Sequence, residues 1–497
     1  RAGEAGADVA LKGWVARKRD HGGVIFLDLR DREGVIQVVA HPEDAPSAFE
    51  IASRLRPESV IAVSGQVRRR PEGTANPELP TGEVEVAARA VEVLSESETP
   101  PFPLEDRIEV DEALRLKYRY LDLRRPEMTR ILRLRHRAIG AIRRFFDQRG
   151  FVDVETPMLT KSTPEGARDF VVPSRLQRGR VYALPQSPQQ FKQLLMVAGF
   201  DRYYQIARCM RDEDLRADRH WEFTQLDMEM SFVTEEDVYE VLESMFASVW
   251  KEILGADIAT PWPRLTYEES MERFGTDKPD TRFAMELATL TKAFAASGFR
   301  AFQQVVADGG EVRGFAAPGG GRLPRKDLDG LVQEATSRGA KGLVWIAFED
   351  GRARSPVEKH LSEDELAAIR EATGAGDGDL ALIVADESSR VAVALAGLRE
   401  LMAARLGLIE DGSWNFVWIT DFPMFEWSEE EGKWVSKHHP FTMPSTDDLD
   451  PATAKARAYD IVLNGYELGS GSIRIHRPEI QSKVFETLGL TREEANE

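Results

Sequence analysis

The chain has 497 residues, 42% of them hydrophobic, enough for about three domains with sizeable cores. Its 65 basic and 84 acidic side chains give a formal net charge of −19, which argues against nonspecific nucleic-acid binding while permitting a local basic surface. Cys209 is the single cysteine, so an intrachain disulfide and a CxxC metal knuckle are excluded; with no apolar run of transmembrane length and no signal peptide, the expected compartment is a reducing cytoplasm.

The chain opens on Arg1 rather than methionine, so a few residues are expected ahead of it. Residues 1–98 read as short strands with turns: Val24–Arg30, Val35–Ala40, Val60–Val67 and Val84–Leu94. That spacing predicts a small β-barrel of the OB type. If Asp31-Arg32-Glu33-Gly34 closes a simple hairpin, Asp28 faces Gln37 and Phe26 faces Val39. Ile25, Leu27 and Leu29 then point to the core, and Phe26, Asp28 and Gln37 share the outer face. An outward phenylalanine suits base stacking, and a glutamine beside it suits reading a base edge. The same pattern also fits a phenylalanine half-buried under a neighbouring loop. Two basic triplets, Arg17-Lys18-Arg19 and Arg68-Arg69-Arg70, lie in this region.

Thr99-Pro100-Pro101-Phe102-Pro103 reads as a stiff linker, opening a hinge over 99–130. From Ile131 the apolar positions 131, 134, 138, 142 and 145 follow helical spacing, and Gly150 is a natural stop. Phe151 to Leu159 then reads as a strand ending at Pro157. Residues 278–407 change character, with several αβ alternations. Pro318-Gly319-Gly320-Gly321 lacks a following Gly-Lys-Ser/Thr, so it reads as a turn rather than a phosphate loop. A buried strand, Phe416–Thr420, follows Trp414.

The most informative stretch is two strands joined by a charged loop. Tyr203 to Met210 is the first; the second alternates, with Phe223, Gln225, Asp227 and Glu229 on one face and Leu226, Met228 and Met230 on the other. One face is core. The other carries an aromatic plate, an amide and two carboxylates, with Arg211 entering from the partner strand. An arginine can neutralise phosphate, a phenylalanine can stack a base, and a carboxylate can hold an ammonium. A solvated hairpin with surface ion pairs has the same pattern.

Arg211-Asp212-Glu213 with its loop and Phe223 resembles motif 2 of class II aminoacyl-tRNA synthetases, and Ala207 to Asp227 is similar to the bacterial aspartyl-tRNA synthetases. Phe151 to Leu159 resembles their motif 1. The resemblance runs over essentially the whole chain. It implies an α+β multidomain fold: an N-terminal OB-type barrel for the anticodon (1–98), a hinge (99–130), an antiparallel-sheet catalytic domain in two parts (131–277 and 408–497) and an α/β insertion domain (278–407).

The implied reaction joins ATP and L-aspartate into aspartyl-adenylate, then moves the aspartyl group to tRNA(Asp). The first step is in-line attack by a carboxylate on the α-phosphorus, so no protein nucleophile or general base is assigned. The resemblance implies that Arg211 bridges the α-phosphate and the reacting carboxylate. Asp212, Glu213, His220, Phe223 and Glu467 join Arg211 around ATP, with Phe223 stacking on the adenine. Asp460 and Glu467 hold Mg2+ against the phosphates. Gly469 and Gly471 let the backbone approach the substrate. Glu165 closes over the ammonium of aspartate; Ser187, Gln189 and Asp227 hold that ammonium; Lys192 and Arg474 face the side-chain carboxylate, with His438 nearby. Adjacent His438 and His439 are not read as a metal site, because neighbours in an extended strand point apart. The anticodon set is Arg19, His21, Phe26, Gln37 and Gly73. Motif 1 implies a homodimer.

The sequence departs from the family pattern at Met210, His220-Trp221 and Ser470, and motif 3 would fall after Glu497, so a truncated chain is expected. His21, in the loop before the strand bearing Phe26, and Gly73 are similar to features of family members that charge both tRNA(Asp) and tRNA(Asn). The alternatives are a strictly discriminating enzyme and a noncatalytic, synthetase-like RNA-binding protein.

Overall fold

The computed structural model describes residues 2–162, 167–215, 219–429, 432–446 and 449–490. The chain forms two compact units, residues 1–138 and 139–497.

In the first unit β1 (Asp8–His21), β2 (Val24–Arg30), β3 (Val35–Ala40), β4 (Val60–Arg69) and β5 (Val84–Ser95) close a barrel in the order β1-β2-β3-β5-β4. The pairs Phe26 with Val39 and Asp28 with Gln37 form as the turn spacing requires. Ile25, Leu27, Leu29, Val38, Ile61 and Val86 fill the interior, and α1 (Pro46–Arg54) caps it with Ala48 and Ala52. Closure comes from β3 running parallel to β5, which sets Gln37 beside Glu85. Gly65 sits at a bulge where a Cβ would lie 2.2 Å from the Ala87 carbonyl oxygen, so only glycine fits.

β1 was not among the strands expected from sequence. Its basic run Arg17-Lys18-Arg19 lacks the β-branched enrichment that marks the others, and tertiary pairing to β2 and β4 overrides propensity. The segment after the barrel is also more than a linker. Phe102 is buried, and α2 (Glu112–Lys117) and α3 (Arg119–Asp122) lead to Arg124, which pairs with Glu58 of the barrel unit at 2.6 Å. Asp122, fully buried, gathers Arg115, Arg119 and Arg125.

α4 (Pro126–Gln148) starts at a proline, five residues before the expected start, as suits a first helical turn. Its Ala141, Phe145 and Phe146 are buried, whereas Ile131 and Leu134 of the same predicted stripe are exposed. In the second unit, β6 (Val152–Asp153) runs parallel to β9 (Arg202–Met210), and β9 pairs antiparallel with β10 (Glu222–Met230). Before them come the short hairpin β7 (Val171–Pro173) and β8 (Val181–Ala183) and the helix α5 (Gln189–Val197). α6 (Glu235–Leu254) opens on a Thr234–Asp237 capping box and ends at Gly255 with φ +71°. It packs Met245 and Val249 against Leu226, Met228 and Met230, the core face of β10.

A second sheet has the order β11 (Arg264–Thr266), β17 (Phe416–Thr420), β20 (Ala458–Leu463), β21 (Tyr466–Ser472), antiparallel except between β11 and β17. Between its first two strands lie α7 (Tyr267–Phe274) and the insertion: β12 (Ala288–Thr289), α8 (Thr291–Phe294), α9 (Arg300–Ala307), β13 (Glu311–Ala317), α10 (Arg325–Ser337), β14 (Val344–Glu349), β15 (Arg352–Arg354), α11 (Glu363–Thr373), β16 (Leu380–Asp386) and α12 (Ser388–Arg405). Helices and strands alternate here as the sequence suggests, yet every strand pair is antiparallel. Gly319 turns with φ +70°, and no phosphate-loop helix follows. β18 (Phe425–Ser428) and β19 (Lys433–Ser436) form a hairpin, and α13 (Pro478–Thr487) packs Ile480 and Val484 on the second sheet's core.

Candidate active site

β10 and β21 both border a cavity of about 1360 Å³. Its lining includes Arg211, Glu213, His220, Phe223 and Glu467. The β9–β10 register puts Phe223 opposite Cys209 and Asp227 opposite Gln205, which fixes the polar face of the hairpin. Arg211 leaves β9 with its N–H bonded to the Trp221 carbonyl (2.8 Å), and its guanidinium carbon lies 5.1 Å from the Phe223 ring centroid. A cation over an aromatic plate at a cavity wall can hold a phosphate beside a stacked base. Glu213 is steadied by Arg219 at 3.6 Å, and its carbonyl accepts from the Trp221 indole. Asp212 does not line the cavity, and its N–H is taken by the Arg168 carbonyl.

At the other end of β10, Lys192 rises from α5. Its ammonium lies 2.9 Å from Asp227, 3.3 Å from Glu229 and 3.5 Å from the Met228 carbonyl. Burial by itself would lower the lysine pKa, but the two carboxylates outweigh it and hold it above its ordinary value. Burial raises the Asp227 carboxyl above its ordinary value despite Lys192 beside it, and Glu229 adds to the rise. Glu229 was not among the expected site residues; its place on the same face as Asp227 was the available signal. Arg474 follows β21. Its guanidinium donates to the Gln189 side-chain oxygen (2.7 Å) and to Ser472 Oγ (2.9 Å), both neutral. Ser187 Oγ accepts the Gln189 backbone N–H at 3.2 Å. Among the described residues, Gln189 Nε2 and Asp227 Oδ2 are buried without a hydrogen-bond partner. A donor and an acceptor left in this state cost free energy unless a ligand completes them. Glu165 lies outside the described residues.

His438 lies in a bend beyond β19, and His439 follows it outside any strand. They serve different neighbourhoods. The His438 ring meets Phe422 edge-on at 4.5 Å, and burial, then Lys437, hold it below its ordinary pKa. His439 accepts the Phe441 N–H on Nδ1; burial, then Arg474 and Lys192, push its pKa down to about 3. His439, rather than His438, feels both cations of the pocket, a difference the doublet alone does not reveal.

Asp460 on β20 is 4% exposed, and its Oδ1 has no partner among the described residues. Burial, then Glu467 and Asp277, hold its carboxyl well above the usual carboxylate range. Glu467 on β21 lies 2.8 Å from Lys278. No group of three or more His, Cys, Asp or Glu among the described residues forms a metal cluster. Asp460, with its unpartnered oxygen, and Glu467 are oxygen donors of the kind that would suit Mg2+. Gly469 has open space where a Cβ would stand, whereas a Cβ on Gly471 would lie 2.6 Å from the Tyr459 ring. Gly471 lines the cavity as Gly469 does, and its missing side chain also lets β21 pack on Tyr459.

On the barrel, Arg19 donates to Asp28 (2.7 Å) and Gln37 (3.2 Å), Gln37 donates to Glu85 (2.7 Å), and Glu85 accepts from Arg68 (2.8 Å). Gln37 was expected to face outward and read a base. It is 6% exposed and engaged through both ends of its amide, because Glu85 arrives from β5, a neighbour the β2–β3 hairpin does not predict. Phe26 is half-buried, with His21 edge-on at 6.0 Å. His21 ends β1 opposite Val24 instead of lying in the loop, which is only Gly22-Gly23. Gly73, φ +80°, lies in the β4–β5 connection with open space around it.

A family model described as tRNA synthetases class II (D, K and N) matches residues 111–497, and one described as an OB-fold nucleic acid binding domain matches residues 9–94. The chain is 55% identical to the Aspartate--tRNA(Asp/Asn) ligase of Moorella thermoacetica, covering 100% of this chain and 83% of that relative. It is 53% identical to the ligase of the same name from Caldanaerobacter subterraneus subsp. tengcongensis, covering 99% and 84%. Among solved structures, the asparaginyl-tRNA synthetase from Pyrococcus horikoshii complexed with asparaginyl-adenylate matches with a TM-score of 0.60 at 19% identity, over 100% of this chain and 87% of that one. The aspartyl tRNA synthetase from Entamoeba histolytica matches at 0.58 and 18%, over 99% and 80%. The chain therefore belongs to the class II tRNA synthetases (D, K and N), with an OB-fold nucleic-acid-binding domain preceding the catalytic one.

Proposed function

We propose that the chain attaches L-aspartate to tRNA(Asp), and also to tRNA(Asn), through an aspartyl-adenylate. The observation that carries the amino-acid choice is Arg474. Among the described residues no carboxylate pairs with it, and neutral Gln189 and Ser472 hold its fork in place. Lys192 is already balanced by Asp227 and Glu229, so an incoming side-chain carboxylate meets one uncommitted guanidinium. An amide in the same place leaves that charge unpaired, at a cost of several kcal/mol. Asp227 Oδ2 is the acceptor for the substrate ammonium, with Gln189 and Ser187 beside it.

Arg211 holds the reacting carboxylate against the α-phosphate and spreads the charge of the transition state. Phe223 stacks the adenine, and Glu213 and His220 border the nucleotide. Asp460 and Glu467 would hold Mg2+, which supplies charge neutralisation at the phosphates. No side chain is asked to take a proton in the first step. The noncatalytic alternative leaves buried orphaned polar atoms on β10, α5 and β20 with no purpose, which weighs against it.

Phe26 offers its ring for stacking beside His21, while Arg19, Gln37 and Glu85 form a prearranged polar floor. Charging of both tRNAs is supported by relatives named for both and by the small turn at Gly73. Exposed Val152, Met158 and Leu159 in the motif-1 segment support a homodimer. No helix among the described residues is long and apolar enough to cross a membrane; the single cysteine supports a cytoplasmic enzyme. The division at 98, 130, 277 and 407 belongs to the same reading.

Aminoacylation of separate tRNA(Asp) and tRNA(Asn) transcripts with labelled aspartate is the test. Charging of both is expected. If tRNA(Asn) is charged more than about a thousandfold less efficiently, a gap of roughly 4 kcal/mol, the enzyme is discriminating; if neither is charged, the proposal fails.

A further inference from the structure

Lys278 follows α7 in the segment Thr276-Asp277-Lys278-Pro279-Asp280, and neither the motifs nor the amino-acid pocket calls for it. The segment is held firmly. Thr276 Oγ1 accepts the Lys278 N–H (3.1 Å), the Thr276 carbonyl accepts from Ser270 (2.7 Å), Arg282 pairs with Asp280 (2.6 Å), and Asn415 donates to the Thr281 carbonyl (3.0 Å). From this fixed stem the Lys278 ammonium reaches Glu467 at 2.8 Å and lines the cavity shared with Arg211, Arg219 and Phe223.

Among the described residues, the charged groups that bear most on Asp460 are the acids Glu467 and Asp277 and the cations Lys278 and Lys437. Lys437 is committed to Glu426 at 2.8 Å. Among the described residues Lys278 is therefore the cation that balances Glu467, while Asp460 Oδ1 stays buried and unpartnered. A divalent cation taken up by Asp460 and Glu467 must share or displace that ammonium. Once displaced, Lys278 remains tethered over the same cavity, where a polyphosphate supplies the negative charge it has lost.

We propose that Lys278 is a further residue of the nucleotide site: it holds the place of the metal on Glu467 in the ligand-free enzyme and moves to the nucleotide phosphates when the metal binds. The inference rests on the assignment of Asp460 and Glu467 to the metal. Its test uses full-length protein, with Mn2+ as the divalent probe and ATP as the nucleotide. Thermal unfolding is followed while Mn2+ is added from a chelator-treated start, without nucleotide, and ATP binding is measured by equilibrium dialysis with Mg2+.

Lys278→Met is expected to reach half of its Mn2+-induced thermal shift at an Mn2+ concentration about fivefold lower than wild type, because no ammonium has to leave. The same variant is expected to bind ATP at least roughly tenfold more weakly, having lost one charge-assisted contact. Lys278→Arg keeps the charge and is expected to behave as wild type in both assays. A Lys278→Met protein with an unchanged Mn2+ response, or with undiminished ATP affinity, overturns the proposal. If Glu467→Gln leaves the wild-type Mn2+ response intact, the metal assignment itself fails and takes the role of Lys278 with it.

Discussion

The polar face of the barrel and the floor of the amino-acid pocket use the same chemistry to opposite ends. On the barrel, Arg19, Asp28, Gln37, Glu85 and Arg68 are chained to one another by hydrogen bonds of 2.7–3.2 Å. In the pocket, Lys192, Asp227, Glu229, Gln189 and Arg474 are held as closely, yet Asp227 Oδ2 and Gln189 Nε2 lack partners among the described residues, as do His438 Nε2 and His439 Nε2. The barrel network leaves one donor, Arg19 Nε, without a partner among the described residues. Its carboxylates and its amide are engaged with one another, so it is read by stacking on it or exchanging with its outer members. The pocket's network is unfinished until a small ligand enters. The contrast points to a macromolecule read at a surface in one region and an enclosed amino acid in the other.

The largest effect that separates the two regions belongs to Arg211. Arg211→Ala is expected to fold and to lose about 3–5 kcal/mol of transition-state stabilisation in adenylate formation, measured by ATP–pyrophosphate exchange. Near-normal exchange would remove Arg211 from the reaction. Lys192→Met strikes the pocket's own charge balance, leaving Asp227 and Glu229 buried without their cation. A loss of about 3–5 kcal/mol in urea unfolding is expected; a loss below roughly 1 kcal/mol would mean the pair is solvated and the pocket open. Phe26→Ala tests the barrel side. It should weaken tRNA aminoacylation by roughly 1–3 kcal/mol and leave exchange intact. An equal fall in both activities would make Phe26 a core residue.

The smallest effect is a pH dependence confined to the pocket. His439, pushed down to about 3, stays neutral in the fold, while the unfolded chain takes up a proton below about 6.5. Its contribution to stability is therefore fully present above pH 6.5 and is lost as pH falls towards 3. Between pH 6.5 and 5 the wild type should lose about 1–2 kcal/mol more than His439→Gln, measured by urea unfolding at the two pH values. Parallel losses in the two proteins would show that His439 titrates as a solvated side chain.

Local pattern carried much of this arrangement. Period-two alternation gave the face of β10, and the Asp31–Gly34 turn gave the β2–β3 register, because both depend on neighbours in the chain. What stayed hidden depends on non-local closure. Glu85 reaches Gln37 only because β5 lies parallel to β3, and Arg19 and His21 belong to a strand whose basic residues obscure it. Lys278 meets Glu467 across 189 positions of sequence, with the whole insertion between them. The antiparallel order of the insertion was equally out of reach, since alternating helices and strands permit either direction. That the two histidines have different surroundings follows from adjacency, but which of them faces Arg474 and Lys192 depends on contacts distant in sequence.

Amino-acid selection by Arg474 is the centre of the account, and ATP–pyrophosphate exchange by the full-length enzyme with aspartate or asparagine tests it most directly. Aspartate should support exchange at least about a thousandfold better in kcat/KM, since asparagine leaves the guanidinium without a carboxylate. Comparable exchange with asparagine, or exchange with lysine alone, would contradict the assignment of the pocket.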